Sequence, residues 1–190
     1  MLATAGEKLP VTLWGYCLMP NHWHLVVEVI RMADLSKLVH RICNRLVRSF
    51  HRQSPRLGGG HIYQGRYKSF PIQDESYLFN VLCYVEANPL RAKLVARAED
   101  WPWSSLSRAK VYEGLIEEAR PKLAPWDRGE HWRETVNQPL SPPSLEALRQ
   151  SVVRGTPQGQ PQWIENLSAA HGMESTVRPR GRPRKPIFQE

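Results

Sequence analysis

Two histidines flank a single tryptophan in the run Tyr16-Cys17-Leu18-Met19-Pro20-Asn21-His22-Trp23-His24-Leu25-Val26-Val27-Glu28. Alternate residues of a strand point the same way, so an extended run puts both imidazoles on one face. Imidazole pairs bind divalent metals, but two ligands do not hold one tightly, and an isolated His-x-His is more often a pair of ordinary strand histidines. Further along, Tyr84 and Asn88 stand one helical turn apart in Tyr84-Val85-Glu86-Ala87-Asn88, which puts a phenol and a carboxamide on one helix face. A phenol with its ordinary pKa near 10 is a poor nucleophile unless something stabilises the phenolate or polarises its target. The carbonyl oxygen of Asn88 is a candidate third ligand beside His22 and His24. The natural joint reading is a metal clamp beside a tyrosine nucleophile.

These residues need a scaffold. Val11 to Leu18 and His22 to Ile30 are β-rich runs joined by the turn-prone Met19-Pro20-Asn21, which predicts a hairpin. In the second run His22, His24, Val26, Glu28 and Ile30 form one face. The other face, Trp23, Leu25, Val27 and Val29, is wholly apolar and is expected on a core. Asp34 is the expected cap of a helix to about residue 52, with Leu35, Leu38, Val39, Ile42, Leu46 and Phe50 at helical spacing. Its opposite side carries Lys37, Arg41, Arg45, Arg48 and Arg52, and no acidic residue follows Asp34 in the helix. Charged stripes are usually solvated faces, but those normally mix signs, so this one points to phosphate contact. Ile62 to Phe70 is expected to be a further strand with Arg66 and Lys68 on one face and Tyr67 on the other, a pattern suited to phosphates and stacked bases. Asp74 then caps a helix through Tyr77, Leu78, Val81, Leu82, Val85 and Asn88, which Pro89 stops.

The composition narrows the partner. The chain has 190 residues, 41% hydrophobic, with a net charge of +8. That size and content fit one main domain with an appendage, and the charge favours a polyanion, nucleic acid before an anionic membrane. No stretch has the roughly 20 apolar residues of a spanning helix, and Met1 to Lys8 lacks the features of a signal peptide, so a cytoplasmic, nucleoid-associated protein is expected. Cys17, Cys43 and Cys83 lie in apolar surroundings and are expected to be reduced core thiols. Trp101, Trp103, Trp126 and Trp132 are expected to cover the core. Short helices are predicted from Pro142 to a stop at Gly155 and around Trp163, Leu167 and Ala170 to a stop at Gly172. The end, with Arg178, Arg180, Arg182, Arg184 and Lys185 among prolines, has too little to bury and is expected to be disordered alone.

In order along the chain, His22-Trp23-His24, then Gln64-Gly65-Arg66-Tyr67-Lys68-Ser69, then Tyr84-Val85-Glu86-Ala87-Asn88-Pro89-Leu90-Arg91-Ala92-Lys93-Leu94-Val95, and finally Trp103-Ser104-Ser105 resemble the motifs of the REP-associated tyrosine transposases. These are IS200-like members of the single-tyrosine HUH nuclease superfamily, and the resemblance covers most of residues 11 to 110. It implies an α+β fold, a ferredoxin-like antiparallel sheet with helices on one side, as an HUH domain over 1–110. A helical region over 111–175 and a basic tail over 176–190, itself similar to an AT-hook, would follow.

The resemblance also makes His22, His24 and Asn88 ligands of Mg2+ or Mn2+ and Tyr84 the nucleophile that forms a 5′-phosphotyrosine. The DNA would be single-stranded and hairpin-shaped, at palindromic repeats, contacted by Lys37, Arg41, Arg45, Arg48, Arg52, Arg66, Lys68, Arg178, Arg180, Arg182, Arg184 and Lys185. A monomer is expected over a homodimer. Family members usually carry a strand and most of a helix before the segment matching Val11 to Tyr16, so a core strand is expected to be missing, which would leave an unpaired sheet edge. A misassigned start codon or a decaying copy would explain that. The alternative function is therefore a catalytically impaired, domesticated protein that binds DNA hairpins. A structural zinc site using Cys17 with the histidines fits poorly, because no fourth ligand has suitable spacing.

Overall fold

The computed structural model describes residues 9–53, 62–107 and 129–178. Strands β1 (Val11–Leu18) and β2 (Trp23–Val29) pair antiparallel, with Cys17 opposite His24 and an irregularity between Leu13 and Gly15. The Met19 amide donates to the His22 carbonyl at 2.8 Å and closes the turn, so His22 is the residue that launches β2. The class is α+β, as expected. Within it the two faces of β2 meet different helices. Val26 enters the main core with Val81, Leu82 and Val85 of helix α2 (Glu75–Glu86), whereas Leu25 and Val27 pack on Leu38 and Ile42 of helix α1 (Met32–Gln53). The wholly apolar face does lie on a core, and on the histidine face Val26 is buried as well, while His22, Glu28 and Ile30 are exposed.

The outer edge of β1 is met by the Trp-Ser-Ser segment. The Leu18 amide donates to Trp103 O at 2.9 Å, the Ser105 amide to Tyr16 O at 3.0 Å, and Trp101 Nε1 to Leu18 O at 2.9 Å. These bonds satisfy backbone groups that an open edge would leave to solvent or to another chain.

Two local expectations are corrected. Asp34 does not cap α1, which begins at Met32; its fully buried carboxylate instead accepts two bonds from Arg31, at 2.9 and 3.2 Å. A charge-assisted fork outcompetes a backbone cap for that carboxylate. Ile62 to Phe70 is not a strand; it is irregular, tied down by Tyr63 to Trp23 at 3.3 Å, Tyr67 to Ser36 at 2.9 Å and Lys68 to the Val153 carbonyl at 2.7 Å. Alternation of residue types alone does not make a strand without a ladder to join.

Asp74 caps α2 as expected, accepting from the amides of Ser76 at 3.0 Å and Tyr77 at 3.3 Å. The helix ends at Glu86, and a single turn, α3 (Asn88–Arg91), restarts with Pro89 at its beginning, where a missing amide costs nothing. After a 3-10 turn at Ala98–Asp100 come α4 (Glu130–Asn137), α5 (Pro142–Arg154), α6 (Pro161–His171) and α7 (Glu174–Val177). Helices α5 and α6 end at Gly155 and Gly172, both in the left-handed region at φ 76° and 65°, as the sequence predicts. Trp132, Val136 and Leu148 share one core with Cys17, Val26 and Tyr84, so α4 and α5 complete the hydrophobic interior that α2 begins.

The helical region is also stitched to the segment that leads into α2. Gln73 and Gln158 are joined through Gln73 N to Gln158 O and Gln158 N to Pro71 O, both 2.9 Å. A Cβ at Gly159 would lie 2.4 Å from the Trp163 ring and 2.6 Å from Gln73, so only glycine permits this approach. The three cysteines are free thiols, two of them buried. Among the described residues no helix is long and apolar enough to cross a membrane. Trp126 and the tail residues Arg180, Arg182, Arg184 and Lys185 lie outside the described residues.

Candidate active site

Residue identity and strand pairing bring three rings to one place. The His22 and His24 ring centroids are 5.0 Å apart, nearly perpendicular, and the His24 ring is 6.2 Å from that of Tyr84, again edge to face. β2 supplies His24, the residue just before the strand supplies the His22 ring, and the buried face of α2 supplies the phenol, 9% exposed. His22 is exposed, with Nδ1 2.7 Å from the Asn21 carboxamide oxygen, while His24 is half-buried. Burial first, then His22 and Arg91, push the His24 pKa down to about 4. Its imidazole is therefore neutral at physiological pH, with a ring nitrogen lone pair free to bind a metal or accept a hydrogen bond.

Asn88 lies on the same side of the chain as Tyr84 but is already engaged. Its Nδ2 donates to Val85 O at 3.2 Å and its Oδ1 accepts from Arg91 at 2.8 Å. The two bonds together fix which end of the carboxamide is oxygen. An amide oxygen has two lone pairs, so one remains for a second partner. Arg91 continues over the site, its guanidinium carbon 4.2 Å from the Tyr84 ring centroid, with a further bond to the Tyr84 carbonyl at 2.6 Å. Burial lowers the pKa of this guanidinium; the Tyr84 phenol opposes that and Arg149 of α5 adds to it.

Among the described residues no three of His, Cys, Asp and Glu cluster as a metal site. The two imidazoles meet beside Tyr84, and the Asn88 carboxamide is linked to that ring through Arg91; with the Asn88 oxygen as a third donor, such a set fits a divalent ion only if substrate or water completes it. Burial and the nearby Glu86 raise the Cys17 pKa to about 12, so without a metal it is a thiol.

Below the rings is a buried carboxylate. Glu86 is fully buried and accepts from Trp132 Nε1 at 2.7 Å and Ser105 Oγ at 2.6 Å, while Ser105 Oγ accepts from the Tyr16 amide at 2.9 Å. One side chain of α2 thus anchors β1, the Trp-Ser-Ser segment and α4 two residues from Tyr84. Glu99 is likewise buried. Burial alone would raise its pKa, but hydrogen bonds from Asn137 at 2.7 Å and Arg97 at 2.7 Å outweigh that and hold it at about 2.

The expected DNA contacts lie elsewhere on the surface. Lys37, Arg41, Arg45, Arg48 and Arg52 are all exposed on α1. Lys37 is not without an acidic neighbour, as Asp34 lies 3.6 Å away, and Arg41 and Arg45 are engaged with their surroundings. Arg66 and Lys68 are exposed on the irregular segment, and the exposed Arg178 offers its carbonyl to Arg154. Sequence spacing marked Tyr84 and Asn88 but missed Arg91 and Glu86. The signals were present: Arg91 follows Asn88 by three and Tyr84 by seven, and Glu86 is the one acid within an apolar helical run.

Comparison with known proteins finds two likenesses. Residues 1–88 match the family described as IS200-like transposases. A Haemophilus influenzae protein named as a REP-associated tyrosine transposase is 29% identical over 117 residues, which cover 56% of this chain and 66% of that protein. The chain therefore spans just under two-thirds of the length of that relative. No solved structure matches the chain. Residues 1–88, which hold β1, β2, α1, α2 and Tyr84 and Asn88, are thus similar to the IS200-like transposases over just under half of the chain.

Proposed function

We propose that the chain is a DNA-processing enzyme of the transposase type that nicks and joins single strands through Tyr84. The observation that carries this reading is the meeting of His22, His24 and Tyr84, with ring separations of 5.0 and 6.2 Å across two secondary-structure elements. In the reaction, Tyr84 Oη forms a bond to phosphorus as its proton leaves, the bond to the 3′ oxygen breaks, and that oxygen departs as a hydroxyl once protonated. The product is a 5′-phosphotyrosine, whose bond energy allows rejoining without ATP. His22, His24 and the Asn88 oxygen are the residues that would hold Mg2+ or Mn2+. Such an ion would polarise the scissile phosphate and offset charge in the displacement. The neutral state of His24 at physiological pH suits that role.

Single-stranded DNA suits a nucleophile held on a helix against a sheet, because the backbone must bend to reach it. The exposed cations of α1, with Arg66, Lys68 and the basic end from Arg178, supply phosphate contacts for the strand and for a hairpin stem. The experiment is incubation of the protein and Mn2+ with a 5′-labelled and a 3′-labelled hairpin carrying single-stranded flanks. The label 3′ of the cleavage site should become covalently attached to protein and the other fragment should end in a 3′-hydroxyl. Binding of the hairpin with no covalent product under any divalent ion would instead support a catalytically impaired hairpin-binding protein.

A further inference from the structure

Arg91 joins the two residues that the proposed reaction needs on one helix face. The terminal nitrogen Nη2 carries two hydrogens, and both are used, one on the Tyr84 carbonyl at 2.6 Å and one on Asn88 Oδ1 at 2.8 Å. The guanidinium plane is at the same time 4.2 Å from the centre of the Tyr84 ring. The interruption of the helix at Ala87, between α2 and α3, makes this possible. Pro89 opens the short turn, the Arg91 amide bonds back to Ala87 O at 2.9 Å, and the side chain folds over the end of α2. A lysine could place a charge there but has no planar fork with which to stack and bond in two directions.

We infer that Arg91 is a positioning residue for the proposed strand cleavage: it locks the Tyr84 ring and the Asn88 oxygen in one fixed relation. This rests on the reading of Tyr84 as nucleophile. The competing role is purely structural, since a guanidinium on the Tyr84 carbonyl also satisfies an unpaired acceptor at the end of α2. The two roles predict different data. As a positioning residue, Arg91 holds the amide oxygen proposed as a metal ligand, so its loss should weaken Mn2+ binding as loss of an outer partner does elsewhere, by about 10- to 100-fold. It also displaces the nucleophile, and a misplacement of about 1 Å costs roughly 100-fold in rate.

The test uses the full chain, wild type against Arg91→Lys and Arg91→Gln, with folding checked by circular dichroism. Three quantities are read: Mn2+ affinity without DNA, from the free-ion paramagnetic resonance signal; affinity for a single strand; and the rate of covalent adduct formation at saturating DNA. Expected for both variants are Mn2+ affinity weaker by at least about tenfold, adduct formation slower by about 100-fold, and strand affinity within about threefold of wild type. In a double-mutant cycle at saturating Mn2+, Asn88→Ala should add little to Arg91→Gln, because the carboxamide has already lost its orientation. Variants that melt earlier yet keep wild-type Mn2+ affinity and adduct rate below their melting point overturn the inference and leave a cap. Full rescue by Arg91→Lys overturns it too, since charge alone would then suffice. A wild-type chain that forms no adduct while binding Mn2+ normally sinks the reading of Tyr84 as nucleophile and this inference with it.

Discussion

The hairpin separates two unlike surroundings. On its α2 side, polar groups are buried and bonded to one another: Glu86 to Trp132 and Ser105, Arg91 to Tyr84 and Asn88, with His24 edge-on to the phenol. On its α1 side, a small apolar cluster of Leu38 and Ile42 carries a helix whose outer surface is exposed arginine. The first arrangement holds its side chains through mutual hydrogen bonds in a low-dielectric interior. The second supplies charge that works at a distance and tolerates mobility. Chemistry needs the former and strand affinity the latter, so substitutions on the two sides should leave different signatures.

The largest effect should come from Tyr84→Phe, which removes the proposed attacking oxygen and little else. Adduct formation should fall by at least about 10⁴-fold while single-strand affinity stays within about threefold, since the hydroxyl acts in the reaction and not in ground-state binding. Next comes Glu86→Ala, which takes the acceptor from the buried Trp132 Nε1, removes one of the two acceptors of Ser105 Oγ and leaves a void. It should cost about 4 kcal/mol and lower the melting temperature by on the order of 10 °C.

Acid should then probe the same side through Glu99. Its folded pKa of about 2 lies below the unfolded value of 4.5, so its contribution is fully present above pH 4.5 and is lost as pH falls toward 2. The amount is about 3 kcal/mol, and Glu99→Gln should flatten the urea stability profile across that window. An unchanged profile would mean that Asn137 and Arg97 do not hold the carboxylate in solution. Arg48→Ala with Arg52→Ala, on the α1 side, should have the smallest effect. Strand affinity should fall a few-fold and the slope of log affinity against log salt should drop by about 1.4 on single strands, with the melting temperature nearly unmoved. A melting loss comparable to that of Glu86→Ala would erase the distinction between the two sides.

Local pattern carried much of the site. Period-two spacing marked His22 and His24, helical spacing marked Tyr84 and Asn88, and glycine stops located the ends of α5 and α6, because each depends on residues close in sequence. The missed features depend on contacts made across the chain. Trp103 to Ser105 completes the edge of β1 from nearly ninety residues away, as the Ser105 bond to the Tyr16 amide records, and no periodicity announces such pairing. The alternating pattern of Ile62 to Phe70 failed for the converse reason: strand-like residues found side-chain tethers to Trp23, Ser36 and Val153 but no ladder. Arg91 was visible by spacing yet not by type, since an arginine on a helix end ordinarily reads as solvated.

The central claim is that Tyr84 is the atom donor to phosphorus, and mass-spectrometric mapping of the covalent protein–DNA product tests it most directly. After nuclease trimming and proteolysis of the wild-type adduct, the nucleotide mass should sit on the peptide containing Tyr84, with fragment ions that assign it to that phenol. A nucleotide mass on Tyr63, Tyr67 or Tyr77, or on any residue other than Tyr84, would contradict the account.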